Sequence, residues 1–481
     1  MSIYPALSLL PRLLVTIPLL ILFASCRPNP IAHIEAADAA LRQGKYDQVL
    51  LETDRALSLD PNSVPAKRLR IKALIGKGEE TAALDAYEVL SREKGPDTIL
   101  LKEICQGFLR EGLKQQNFFV RSASVKAMGE MKDYSTVPIL AMAMKDGAAF
   151  VRFFAVESLG ELADPPSLRL LESATQDPEP MVRISAVKAL DGIEGDKAVP
   201  ILAKFSGDGD LTVRLFALAA LVHRGDSKAR EALTRTVREV NKMQRATAAA
   251  ALGQTRDRSL IPLLLPLLSD KDSQTRTYAA EALGKIGGPE AFGPLSKALS
   301  DPDLGVRGSA AAALGKLGDP RAVPLLTKSL PKISADARVS TRRAAASKEK
   351  PTGNDDGRLA EVSVAESLVR LGASPGKIYD EAVSDPDYGV RHFAVGSLGQ
   401  IGDETSIPLL KTALSDEAPR VRIAAVRAIG EIGRRRGGER VTPLLYGMLR
   451  DPDPSVKIYA AGNLGWFLME KNPPSASTAK Q

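Results

Sequence analysis

Three histidines, two cysteines and two recurring rows of opposite charge are the residues of this 481-residue chain with the chemistry to form a site. His33, His223 and His392 stand far apart in sequence, and neither Cys-x-x-Cys nor His-x-x-x-His, the spacings that hold metals, occurs. Cys105, beside Ile104, reads as a small buried hydrophobe. No strand leads into a glycine-rich phosphate loop. The charged rows are of another kind. Arginine recurs at 121, 152, 183, 214, 245, 276 and 307, always 31 residues apart, and resumes at 391 and 422, with Lys457 in the equivalent place. An aspartate precedes most of them by six residues, as at Asp146, Asp177, Asp208, Asp270, Asp301, Asp385, Asp416 and Asp451. Such rows suit a charged binding stripe, or carboxylate pairs for acid–base catalysis. An active site occurs once, however, whereas these residues occur in every repeat. The expectation is therefore a structural ladder of Asp146, Arg152, Asp177, Arg183, Asp270, Arg276, Asp301, Arg307, Asp416 and Arg422. In it each aspartate caps a helix end and pairs with an arginine of the adjacent repeat.

The elements that carry these rows follow from the residues between them. Alanine comes three residues after the arginines, as at Ala155, Ala186 and Ala279, and leucine seven after, as at Leu159, Leu190 and Leu283. That is one face of a helix. Glycine then follows at 129, 160, 253, 284, 315, 399, 430 and 465, which predicts a helix stop at each. A second helix opens at Pro138, Pro200, Pro262, Pro324 or Pro408, where proline's missing donor costs nothing. No helix pair of this kind buries its apolar face alone, so neighbours must stack. The fold class is all-α, a right-handed α-solenoid of stacked helical pairs. About thirteen repeats in all, with helices 8–10 Å apart, would give a concave surface on the order of 100 Å long.

The pattern resembles the HEAT repeat in its phycobilisome-lyase-like variant, for instance in Asp301-Pro-Asp-Leu-Gly-Val-Arg-Gly-Ser-Ala-Ala-Ala-Ala-Leu-Gly315. The resemblance covers residues 116–469 and implies a fold, not an activity, because such repeats serve scaffolds, adaptors and a few enzymes alike. HEAT-type deoxyhypusine hydroxylase builds a di-iron site from His-Glu pairs, which this solenoid lacks. The lyase resemblance has no supporting residue beyond the repeat. The expectation is a non-enzymatic scaffold with no cofactor and no small-molecule substrate. The alternative is an enzyme or enzyme-accessory factor of the lyase or oxidoreductase kind.

Residues 31–113 carry a different period. Gly44 and Gly78, Val49 and Ala83, and Thr53 and Tyr87 are each 34 residues apart, and Pro61 closes the first unit. This resembles the tetratricopeptide repeat, followed by one linking helix over 97–113. The segment reads as an adaptor that either caps the longer array or binds a partner. Within the array, residues 331–357 break the period and read as a polar loop. Its Arg342, Arg343, Lys348 and Lys350, with Arg434, Arg435 and Arg436 in a later turn, are candidate contacts for an acidic partner or anionic headgroups. Trp466 and Phe467 mark a modified terminal repeat, and residues 470–481 read as a polar tail.

The first 25 residues read as an export signal. Arg12 precedes an apolar run from Leu13 to Ala24, 12 residues long, too short to span a bilayer as a helix. The run ends in Leu22-Phe-Ala-Ser-Cys26, which resembles a bacterial lipobox, and that resemblance implies lipidation of Cys26 ahead of a short linker to Pro30. Apolar content of 44% and charged content of 26% are those of a folded chain, and a net charge of +7 over this length is a slightly basic surface rather than a nucleic-acid footprint. The sequence therefore predicts a lipoprotein of the bacterial envelope, facing the periplasm or exterior. Arg27 after the cysteine favours the outer membrane. Its expected partners are other proteins, identity open, and the membrane through its lipid anchor, with no nucleic acid.

Overall fold

A computed structural model describes residues 29–163, 165–346 and 356–471. The export signal, Cys26, Lys348, Lys350 and the tail beyond 471 lie outside the described residues. Among the described residues there are helices and turns and no strand, in two compact units divided after Gly107.

The N-terminal unit is built of helix pairs. Helix α1, Pro30–Arg42, begins where the Asn29 side chain accepts the Ile31 N–H at 3.0 Å, with Pro30 in the first turn. Helices α2, Tyr46–Leu59, and α3, Val64–Lys77, pack on it through the small residues Ala37, Ala40, Val49 and Ala73. Gly78 ends α3 in the left-handed conformation, φ 79°, and α4 follows as Glu80–Lys94. Helix α5, Thr98–Leu113, occupies the span expected of the linking helix.

The second unit is a row of eleven helices, each packed on the next. They are α6 Phe118–Met131, α7 Ala149–Leu162, α8 Pro180–Gly192, α9 Leu211–His223, α10 Arg245–Gln254 and α11 Ser273–Ile286. The row continues through α12 Leu304–Leu317, α13 Asp356–Arg370, α14 Tyr388–Ile401, α15 Pro419–Arg436 and α16 Pro454–Lys471. Short helices opening at Pro138, Pro200 and Pro408 join them, with proline in the first two positions as expected. The recurring alanines are fully buried at the crossings (Ala155, Ala186, Ala279, Ala310 and Ala394), and so are Leu159, Leu190 and Leu283.

The row closes on itself. Helix α16 packs against α6 as well as against α15, so the first and last repeats are neighbours. The expected elongated surface is therefore a ring. Nor is the last helix a modified cap: Trp466 and Phe467 lie on an element with a partner on either side.

The glycines do something other than stop helices. Gly129, Gly160, Gly253, Gly284 and Gly399 all sit inside their helices. A side chain on Gly253 or Gly284 would begin 2.8 or 2.7 Å from the Cα of Ala282 or Ala313 on the next helix. The missing Cβ is what lets parallel helices approach this closely. The helix stops come one turn later, at left-handed Gly318 and Gly402 and even at Lys132 and Ala163.

The expected loop over 331–357 is also corrected. A single helix, Ala322–Ala346, runs through Pro331, and Ile333 and Ala337, four residues apart, bury one side of it. Arg342 and Arg343 are therefore on a helix, and residues 347–355 lie outside the described residues. Likewise Arg434, Arg435 and Arg436 form the last turn of α15 rather than an interhelical turn.

Candidate functional site: the inside of the helical ring

The charged rows do not line the ring. Arg152 donates from Nε and Nη2 to both oxygens of Asp177 in the next turn, at 2.7 and 3.0 Å, and from Nη1 to the carbonyls of Asp146 and Gly147 in its own turn. Asp177 in turn accepts the Glu179 N–H at 2.9 Å. Arg121–Asp146, Arg183–Asp208, Arg276–Asp301, Arg391–Asp416 and Arg422–Asp451 repeat the arrangement, and Arg245 reaches Asp270 by one nitrogen. Each pair ties a helix to its own turn and to the next repeat. Two members depart. Arg214 holds only the carbonyls of Asp208 and Gly209, and Arg307 reaches Asp336 on the long helix, leaving its buried Nε without a hydrogen-bond partner.

The inner face is made by other positions of the same period. On α6 it carries Phe119, Ala123, Lys126 and Glu130; 31 residues on, α7 carries Phe150, Phe154, Glu157 and Glu161. Residues of α7 and α14, which are not neighbours in the row, line the same two cavities together with α6 and α15. That places both cavities inside the ring.

The first cavity, about 730 Å³, is apolar and lies at the end where the inner helices begin. Phe119, Phe150, Phe154, Tyr388, Ile423 and Tyr459 face it, and Arg420 stands on its wall. Its phenylalanines belong to a larger cluster in which Phe118, Phe119, Phe150, Phe153 and Phe154 contact one another with ring centroids 4.1–6.4 Å apart.

The second cavity, about 780 Å³, is charged. Lys126 bridges Glu161 at 2.6 Å and Glu157 at 3.4 Å. Arg427 reaches back across the closure to Glu130 at 2.7 Å and lies 5.6 Å over the Tyr459 ring. Burial pushes the Tyr459 hydroxyl up to about 12. Burial also pushes His392 below the usual imidazole value, and the charges of Arg420 and Arg427 push it the same way. Farther round the ring, burial lowers Lys285, and Lys316 and Lys188 add repulsion that Glu281 opposes.

The remaining predicted residues are dispersed. Arg434 donates to Asn463 at 2.8 Å and lies 5.9 Å from the Trp466 ring centre, Arg435 donates to the Gln400 carbonyl, and Arg436 is exposed. His33 pairs with Glu52 at 2.6 Å in the N-terminal unit, and His223 pairs with Asp191 at 2.9 Å. No group of three or more His, Cys, Asp or Glu side chains set to hold a metal occurs among the described residues. No described helix is long and apolar enough to cross a membrane.

A family model described as HEAT repeats matches residues 108–190, 169–242, 236–298, 276–347 and 377–474. The chain belongs to the HEAT-repeat family. No curated protein matches it. Among solved structures, this HEAT-repeat protein is similar to the complex of CpcE and CpcF of phycocyanin lyase from Nostoc sp. PCC7120, at 20% identity over 56% of this chain and 92% of that one, with a TM-score of 0.31. It is also similar to human deoxyhypusine hydroxylase in complex with glycerol, at 18% identity over 70% and 96%, TM-score 0.26. A third is an engineered protein, at 17% identity over 76% and 98%, TM-score 0.25. None of these similarities carries an activity over.

The ladder makes the HEAT-repeat ring acid-sensitive. The Arg121 hydrogen bond holds Asp146 below the usual carboxylate value, and Asp270 is lowered first by the Asp272 N–H and then by Arg245. Burial is the largest single influence on Asp208 and Asp416 and raises both, but the hydrogen bonds and charges of Arg183 and Arg391, together with the Asp210 and Ala418 N–H groups, outweigh it and leave both lowered. A carboxylate lowered on folding stabilises the fold fully above its unfolded pKa, near 3.8 here, and loses that contribution as pH falls through the folded value. Urea midpoints are therefore expected to hold level down to about pH 5 and to fall steeply below about pH 4. A midpoint indifferent to pH between 5 and 3 would contradict the ladder's role.

Proposed function

We propose that this HEAT-repeat protein is a lipid-anchored adaptor of the bacterial envelope that holds a protein partner at the aromatic rim of its ring. The observation that carries the reading is the phenylalanine cluster. Five rings touch one another, and Phe119 is 55% exposed. A contiguous exposed aromatic patch is unfavourable in water and is the typical make-up of the residues that dominate protein–protein binding. A helical-repeat scaffold fits such an adaptor, since repeats stacked side by side present one continuous surface. The anchor rests on Leu22-Phe-Ala-Ser-Cys26: acyl chains on Cys26 contribute about 0.8 kcal/mol per buried methylene, and two or more chains hold stably. Arg27, where an aspartate would retain such a protein at the inner membrane, favours the outer membrane where the cell has one. The tetratricopeptide-like repeats and linking helix over 31–113 serve as a second docking segment.

A photo-crosslinking residue at position 119 in intact cells is expected to give one discrete adduct with another protein. Phe150→Asp should reduce that adduct at least tenfold without moving the melting temperature. No protein adduct from the rim, or one indifferent to Phe150→Asp, would remove the adaptor reading. Separately, Cys26→Ser should shift the protein from the membrane to the soluble fraction. Unchanged partition would remove the anchor and leave the adaptor standing.

A further inference from the structure

We infer that the apolar cavity beside the aromatic rim takes an extended segment of the partner, with a bulky apolar side chain set among Phe119, Phe150 and Phe154 and a carboxylate on Arg420. The inference rests on the adaptor reading and names the chemistry that the rim would recognise. The cavity's volume, about 730 Å³, is that of sites that bury small ligands, with room for one or two large side chains and not for a folded domain. Its walls come from five inner helices: Phe119 from α6, Phe150 and Phe154 from α7, Tyr388 from α14, Arg420 and Ile423 from α15, and Tyr459 from α16.

The charge on that wall decides what the segment must carry. Arg420 is exposed and has no hydrogen-bonding or ionic partner among the described residues. Asp453 on the same wall makes no ion pair with Arg420: its Oδ1 accepts the Ser455 and Val456 N–H groups at 2.8 and 3.2 Å as the cap of α16. In the charged cavity Lys126 is paired with Glu157 and Glu161 and Arg427 with Glu130, while Lys132 is exposed. Arg420 is the one cation that lines the apolar cavity, and no carboxylate among the described residues pairs with it. Burial is the main cause that lowers His392, and the charges of Arg420 and Arg427 add to it. The inner helices run parallel, since equivalent positions meet from helix to helix, so their N-terminal ends share this rim and add to the same sign. An apolar site with one unpaired guanidinium favours a segment in which an aspartate or glutamate lies close to a large apolar residue, and it disfavours a basic one. The sequence alone predicts no small ligand here and assigns the basic contacts to Arg342, Arg343 and Arg434 to Arg436. The cavity singles out Arg420 instead.

A displayed random-peptide library selected on the purified full chain tests this directly. Selection on the natural sequence is expected to enrich peptides with Asp or Glu within three residues of Phe, Trp, Tyr or Leu. Arg420→Glu, a change at an exposed residue, is expected to replace that acid with Lys or Arg among the selected peptides. It should also weaken the best original peptide at least tenfold by fluorescence anisotropy, as should Phe150→Asp, with unchanged helical circular dichroism in both variants. Apolar enrichment without charge preference, or the same peptides from Arg420→Glu, would overturn the inference and spare the adaptor reading. No enrichment at all, together with no adduct from position 119, would overturn both.

Discussion

Arg422→Ala is expected to destabilise the ring by about 3–5 kcal/mol, the cost of removing one partner from a buried ion pair. Arg422 and Asp451 are 10% and 4% exposed at their side chains and are joined by two hydrogen bonds of 2.8 Å. Without the guanidinium, Asp451 must either stay charged without its cation or take up a proton, and the carbonyls of Asp416 and Glu417 lose the donor from Nη1. Arg214→Ala is the internal comparison, because Arg214 holds only the Asp208 and Gly209 carbonyls. Its loss should cost less, about 1.5–3 kcal/mol, the range of hydrogen bonds that involve a charged group. Urea unfolding followed by circular dichroism gives both numbers. Pairing Arg422→Leu with Asp451→Leu should recover much of the loss, since two apolar side chains leave no charge unpaired. Equal effects at 422 and 214 would show that the carboxylate partner contributes little.

The second large effect is at the closure. Gly462→Val places a side chain where a Cβ would begin 2.8 Å from the Ala127 Cβ and 2.9 Å from the Ala127 carbonyl oxygen, both fixed on helix α6. Neither atom can swing aside, so α6 and α16 must separate. Overpacking of this kind costs about 1–3 kcal/mol, and more where backbone is the obstacle. The expected outcome is a larger radius of gyration in solution scattering. Amides of residues 120–128 and 456–468 should lose protection in hydrogen exchange while the mid-array helices keep theirs. Gly396→Ala is the control. It lies within helix α14 with nothing inside 4 Å of an added Cβ, and alanine there should be neutral or stabilising by about 0.5–1 kcal/mol. If Gly462→Val behaves like Gly396→Ala, the ring is not held at this contact.

The fold was legible because stacking forces the same residues to recur. Arginine, alanine and leucine at 0, +3 and +7 are the positions that touch neighbouring repeats, so their sameness reports the helix, its face and the period. Three things escaped this reading, each for a physical reason. Glycine inside a helix and glycine after one look alike in sequence, and Gly284 is told from Gly318 only by what lies opposite it. A proline followed by charges suggested a loop at 331, although Ile333 and Ala337 kept helical spacing and both are buried. Closure leaves hardly any periodic trace, because residues 127 and 462 meet by the curvature accumulated over the whole array. The candidate site escaped for the opposite reason to the fold. Its residues occupy the variable positions of the repeat, two before and two, five and nine after each arginine. There, Phe119 and Phe150 share one register with Arg420, whose chemistry is unlike theirs. A search for variation within the period, rather than for constancy, would have found them.

The meeting of α16 with α6 also sets an order of events during synthesis. Residues 454–471 leave the ribosome after every other helix of the row, and until they arrive the flank of α6 that carries Ala127 and Met131 has nothing to pack against. The growing chain therefore holds an oily, unmatched edge through the making of ten helices, the condition in which nascent proteins associate wrongly or recruit chaperones. A stop codon shortly before Pro454 would make that interval permanent by removing one eighteen-residue helix and the residues after it.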